Sequence, residues 1–89
     1  MAKLDKNKTG LALGTFIALM HAFWSLMVAV IPAQLQKFLD LVFVLHHIRP
    51  MYVLLPFNIA NAIILVVLTF VVGYSFGYVF STVWNWANK

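Results

Sequence analysis

The chain has 89 residues, of which 64% are hydrophobic and 9% charged, with a formal net charge of +4. A soluble domain carries roughly a quarter charged residues, so this chain has too little charge to cover its own surface in water, and its length allows one domain at most. The absence of cysteine excludes disulfides and thiolate metal sites, and the clustering of Lys3, Lys6 and Lys8 near the N-terminus reads as a membrane-orienting group rather than a nucleic-acid patch.

Residues 1–9 form a polar tail that is expected to fray. A first apolar run over 10–31 contains no Asp, Glu, Lys or Arg. About 20 residues of helix cross the hydrocarbon of a bilayer, so the run predicts transmembrane helix 1, interrupted by Pro32. A secretory signal peptide is the competing reading. The run exceeds the ~7–15 apolar residues of such a peptide, and no small-x-small cleavage site lies near Pro32, so a span is favoured.

Residues 33–49 behave differently. On a helix at ~100° per residue, Gln36, Lys37, Asp40 and His47 share one stripe, with Leu35, Phe38, Leu39, Val42 and Leu45 opposite. Lys37 and Asp40 are placed to pair. The pattern predicts an amphipathic helix lying in the membrane interface. Packing on a protein partner and a short re-entrant element are the alternatives. Arg49-Pro50 ends the helix, residues 51–55 make a short connector, and Pro56 is placed to start the next helix.

Transmembrane helix 2 is expected over 57–83, which again lacks Asp, Glu, Lys, Arg and His. It is longer than a bilayer needs, which implies tilt or projection. Tyr74, Tyr78, Trp84 and Trp86 crowd its end, a composition that favours headgroup level, and 84–89 form a C-terminal tail. Lys3, Lys6, Lys8 and Lys89 on the terminal side outnumber Lys37 and Arg49 on the connecting side. That balance predicts both termini in the cytoplasm. The expected fold is an all-α membrane protein: a two-transmembrane-helix antiparallel hairpin with a connecting amphipathic interfacial helix.

The most specific pattern is a pair of small-residue stripes. Gly10, Gly14, Ala18 and Ala22 recur at intervals of four, continued after a step of three by Ser25, Ala29 and Ala33; Thr69, Gly73, Gly77 and Ser81 recur in the same way. Such intervals align small residues on one face, which lets two backbones approach closely. In an antiparallel hairpin the two stripes fall at matching depth, so intramolecular helix packing is expected. A homodimer built on one stripe is the rival.

Polar residues inside the spans are the candidate functional groups. His21 projects near Gly14, Ala18 and Ser25 and is expected on the packed face. Its imidazole could shuttle a proton or ligate a metal or a tetrapyrrole. The favoured reading is a neutral histidine bonded to Thr69, Ser25 or a backbone carbonyl, because a bis-histidine site would need a second copy of the chain. Asn58 is expected to cap the second span's helix. Asn61 lies about a third of a turn from the Gly73 stripe and could mark a second interaction face. His46 and His47 point ~100° apart on a helix and chelate poorly together, so no metal is expected there. With Arg49, and with Lys37 on the polar stripe, they are expected to contact anionic headgroups.

No nucleophilic triad, phosphate loop or paired carboxylate is present, and Asp5 and Asp40 are the chain's acids. Enzymatic activity and a bound cofactor are therefore not expected. The stretch Leu45-His46-His47-Ile48-Arg49-Pro50-Met51-Tyr52, followed by Pro56-Phe57-Asn58, together with Gly73-Tyr74-Ser75-Phe76-Gly77-Tyr78, Trp84-Asn85, Leu11-Ala12-Leu13-Gly14 and His21-Ala22-Phe23-Trp24, resembles a group of small prokaryotic two-span membrane proteins of about this length. The group has no assigned function, so the resemblance implies architecture and no mechanism. The expected role is a membrane interaction protein, an accessory subunit or self-associating scaffold, in a prokaryotic cytoplasmic membrane. Its partners would be the lipid bilayer and other membrane helices, as a homo-oligomer or in a larger complex. A small oligomeric transporter or ion-conducting protein using His21 and Asn61 is the alternative, and tetrapyrrole or metal binding through His21 a distant one.

Overall fold

The computed structural model describes residues 3–89. Three α-helices follow in order: α1 over Lys6–Val30, α2 over Pro32–Leu45 and α3 over Ile59–Ala87. Helices α1 and α3, of 25 and 29 residues, are each long and apolar enough to cross a membrane, and they pack against each other.

Helix α1 starts earlier than the apolar run that was expected to define it. Asp5 has extended backbone geometry and its carboxylate accepts from Lys8 N at 2.8 Å, while its carbonyl accepts from Thr9 N at 2.9 Å. An acidic N-cap of this kind satisfies the first orphan amides of a helix and suits its positive end. Residues 6–9, expected in a frayed tail, are thus the first turn of the helix.

Pro32 both ends and begins a helix. It sits at the first positions of α2, where its missing N–H costs nothing. Helix α2 stops at Leu45 rather than at 49. His47 takes a left-handed φ of 62°, His47 N donates to Val44 O at 3.0 Å, and Ile48 N donates to Phe43 O at 2.9 Å. Those two bonds are the paired closure of a Schellman motif. His47 therefore lies beyond the helix and not on the polar stripe it was expected to share. Asp40 accepts from Gln36 Nε2 at 3.0 Å, in place of the expected pairing with Lys37.

The chain then returns without regular structure from residue 48 to Asn58, a longer connector than 51–55. Gln36 holds it: its Nε2 donates to Tyr52 O at 3.0 Å and its Oε1 accepts from Leu54 N at 2.7 Å. The Phe43 and Tyr52 rings lie 5.6 Å apart, so the return segment runs back beside α2. Asn58 caps α3, accepting from Asn61 N at 3.1 Å. Pro56 precedes that cap instead of starting the helix, and α3 runs on past 83 to Ala87.

The Cα extents are 49 × 33 × 15 Å. Helices are roughly 10–12 Å across, so the smallest extent leaves room for a single layer. Two helices packed about 8–10 Å apart do not fill the 33 Å width. Helix α2, roughly 21 Å long, must project sideways; it touches α1 near the bend, where Leu35 is buried, and makes no comparable contact with α3. The molecule is a flat hairpin with an arm.

Candidate functional site

Glycine meets glycine where α1 and α3 join. A Cβ built on Gly77 would lie 2.8 Å from Gly10 Cα and 2.9 Å from Thr9 O, and one on Gly73 would lie 2.8 Å from Gly14 Cα. Gly10 thus opposes Gly77 and Gly14 opposes Gly73, which fixes the helices as antiparallel. Gly10, Gly14, Ala18, Gly73, Gly77 and Ser81 are buried, while Ala22 and Thr69 are half-buried. The hydroxyls on this seam bond within their own helix: Ser81 Oγ donates to Gly77 O at 2.7 Å and Thr69 Oγ1 to Leu65 O at 2.8 Å. Bonded in this way they behave as small side chains and demand nothing from the opposite helix.

The seam does not extend along the whole pair. Ala29 and Ala33, which continue the stripe of α1, are exposed. Positions four apart advance about 400° around a helix, so a row at that spacing drifts by some 40° at each step. Two helices that follow such rows in contact near Gly10 and Gly77 must separate farther along. They do so toward the connector, where grooves open on both faces and share Ser25, Phe57 and Ala62 as walls.

The same drift leaves His21 at the edge of the packed face. It is half-buried at the rim, beside Met20, Phe23, Trp24, Met27 and Leu65, which line an open cavity. Its Nδ1 lies 2.8 Å from Ile17 O. A carbonyl can only accept, so Nδ1 carries a proton and donates this bond. The acceptor is a backbone carbonyl rather than Thr69 or Ser25.

Asn58 is engaged as a cap, but the Asn61 side chain is not. Its carboxamide is exposed and makes no hydrogen bond to another described residue, on the wall of a groove of about 270 Å³ formed with Trp24, Ser25, Leu65 and the return segment. Lys37, His46, His47 and Arg49 are all exposed. Lys37 lies roughly 13 Å along the α2 axis from His46, so it stands apart from His46, His47 and Arg49. His46 Nδ1 donates to Val42 O at 2.6 Å.

Several contacts that hold the chain ends were not expected from the sequence. Asn85 Oδ1 accepts from Leu4 N at 2.8 Å and Asn85 Nδ2 donates to Leu4 O at 2.9 Å. Tyr74 OH donates to Asn7 Oδ1 at 2.6 Å, and Lys6 Nζ stands 5.8 Å from the Tyr78 ring centroid. Together they fasten the N-terminal segment to the end of α3, as Gln36 fastens the return segment to α2. Asp5 alone was detectable, as an acid at N-cap spacing from the apolar run. Comparison with family models, with curated proteins and with solved structures finds no match.

Proposed function

We propose that the chain is an integral membrane interaction protein, an accessory subunit or self-associating scaffold that crosses a prokaryotic cytoplasmic membrane twice. One observation carries the reading. The two apolar helices bury glycine, alanine and serine against each other, and large side chains such as Phe16, Leu19, Phe23, Leu68, Phe76 and Val79 face outward. A chain built this way has lipid and other helices as its natural surroundings, and its outer surface is its main means of acting.

In this reading the Lys and Arg balance holds both termini in the cytoplasm. Helix α2 is an amphipathic arm lying in the opposite interface, with Lys37, His46, His47 and Arg49 toward anionic headgroups. The test is the state of the protein in its own membrane. It is expected to resist alkaline extraction and, in mild detergent, to run as a particle larger than one hairpin. Release by alkali, or a lone hairpin with no adduct after cross-linking in native membranes, overturns the reading. A single cysteine added in the N-terminal segment should be labelled from the cytoplasmic side; labelling from outside reverses the orientation.

A further inference from the structure

Two polar side chains on facing helices are left without partners. On α3 the hydroxyls of Thr69, Ser75, Ser81 and Thr82 each donate to a carbonyl of their own helix. On α1 the Ser25 hydroxyl makes no such bond, and the Asn61 carboxamide on α3 also has no bond to a described residue. Both side chains line one groove of about 270 Å³, whose third wall is the return segment over 53–58. By the register of Gly10 with Gly77 and Gly14 with Gly73, Asn61 lies level with Leu26, about 1.5 Å along the axis from Ser25. Unpaired polar groups are costly in hydrocarbon, so two of them at one level of one groove call for a ligand.

Depth and size say what that ligand is. About 20 helical residues cross the hydrocarbon. Counted from Lys8, the last lysine of α1, they end at about residue 28. Ser25 and Asn61 therefore lie within one turn of the far hydrocarbon edge, where the acyl esters of a glycerolipid begin. A single turn of a helix 10–12 Å across fills roughly 400–600 Å³, so the groove is too small to take in a helix. It suits a thin, extended chain. Trp24 and Leu65 also wall a second open cavity beside Met20, Phe23 and Met27, apolar apart from His21. The path thus runs from polar groups near the edge to apolar walls nearer the bilayer centre.

We propose that this groove binds a glycerolipid, with ester carbonyls accepting from Ser25 Oγ and Asn61 Nδ2 and one acyl chain running past Trp24 and Leu65 toward Met20 and Met27. The proposal rests on the chain being an integral membrane protein. A hydroxyl offers one donor and a carboxamide two, while an ester carbonyl can only accept, so the two sets are complementary. A site of this kind, apolar with a few convergent polar groups, is the usual form of a small-molecule site. It lies where α1 and α3 separate, so a bound lipid replaces the helix contact that the seam loses there.

An ether-linked lipid has no ester carbonyl, which permits a clean test. The protein is placed in bilayers of phosphatidylglycerol, half ester-linked and half ether-linked with like chains, and the lipid it retains is read by native mass spectrometry. The ester form should exceed the ether form about two- to twelvefold, the worth of one hydrogen bond. Asn61→Leu and Ser25→Ala should each reduce that preference, and the double variant should erase it. Leu68→Ala, at an exposed position of α3 outside the groove, should leave it unchanged. No preference in the unaltered chain, full preference in the double variant, or a preference lost equally in Leu68→Ala overturns the lipid site and leaves the membrane reading standing. Release of the protein from its membrane by alkali overturns both.

Discussion

Gly10 and Gly77 touch backbone to backbone: a methyl group on Gly77 would sit 2.8 Å from Gly10 Cα and 2.9 Å from Thr9 O. Neither of those atoms can swing aside as the end of a flexible side chain could. The same holds one turn along, where a Cβ on Gly14 would meet Phe70 O at 2.7 Å. On a free helix surface, Gly→Ala stabilises by up to about 1 kcal/mol. Here the sign reverses. Gly77→Ala, Gly73→Ala and Gly14→Ala should each destabilise the hairpin by about 1–3 kcal/mol, the usual cost of overpacking, read by denaturant unfolding in detergent. A neutral or stabilising result would show that the helices do not meet at these glycines.

Asn85 and Leu4 form a two-bonded bridge between the N-terminal segment and the end of α3. Asn85→Ala removes both bonds, each worth about 0.5–1.5 kcal/mol net. It should speed amide exchange at Leu4 while amides near Gly14 keep their protection. Asn85→Asp should be no better, because it cannot donate to Leu4 O and sets two oxygens against each other. Unchanged exchange at Leu4 in either variant would mean that the bridge does not hold the segment.

The parts of this fold written in side-chain size and hydropathy were legible in the sequence. The intervals of four that contain Gly10, Gly14, Gly73 and Gly77 need no partner information to be seen, and they bring the right residues to the seam. Asn58 as a cap and the bend at Pro32 were legible too, because proline and N-cap asparagine act locally. His21 lies at the rim of the packed face rather than its centre, because projection treats a stripe as straight whereas a row at spacing four drifts around the helix. The end of α2 was misread because a left-handed closing residue is usually glycine and here is His47. The holds made by Asn85 and Gln36 left no trace, since their partners at Leu4, Tyr52 and Leu54 are backbone atoms, which nearly every residue type supplies.

Gln36 uses both ends of its amide on the return segment and also donates to Asp40. Gln36→Glu keeps an acceptor for Leu54 N but cannot donate to Tyr52 O, and it brings a second carboxylate against Asp40. It should release the segment more than Gln36→Leu does. Spin labels at the exposed neighbours Val44 and Val53, which leave the Phe43 and Tyr52 rings 5.6 Å apart in place, should report a wider distance distribution in Gln36→Glu. An unchanged distribution would show that the ring contact and the chain ends hold the segment by themselves.

The His21 ring donates to Ile17 O, a carbonyl that already accepts the His21 backbone amide in the regular helix. Removing the ring bond therefore orphans nothing. His21→Phe, which keeps the volume beside Trp24 and Met27, should change stability by less than about 1 kcal/mol. Unfolding in detergent measures this. A larger loss would mean that the ring holds more than its own helix.

His47 closes α2 with a φ of 62°. Left-handed geometry costs a residue with a Cβ about 1–2 kcal/mol, although His tolerates it better than most. Glycine has no such penalty but loses more freedom on folding. His47→Gly should therefore stabilise the end of α2 modestly, by up to about 1 kcal/mol, while His47→Val, branched at Cβ, should destabilise it by more than that. The difference would be read as slower amide exchange at Ile48, whose N–H closes the motif on Phe43 O at 2.9 Å, in the glycine variant and faster exchange in the valine variant. Equal exchange in both would show that the left-handed turn is not what ends the helix. In that case the break would have to come from Pro50, which already disfavours helix at Arg49.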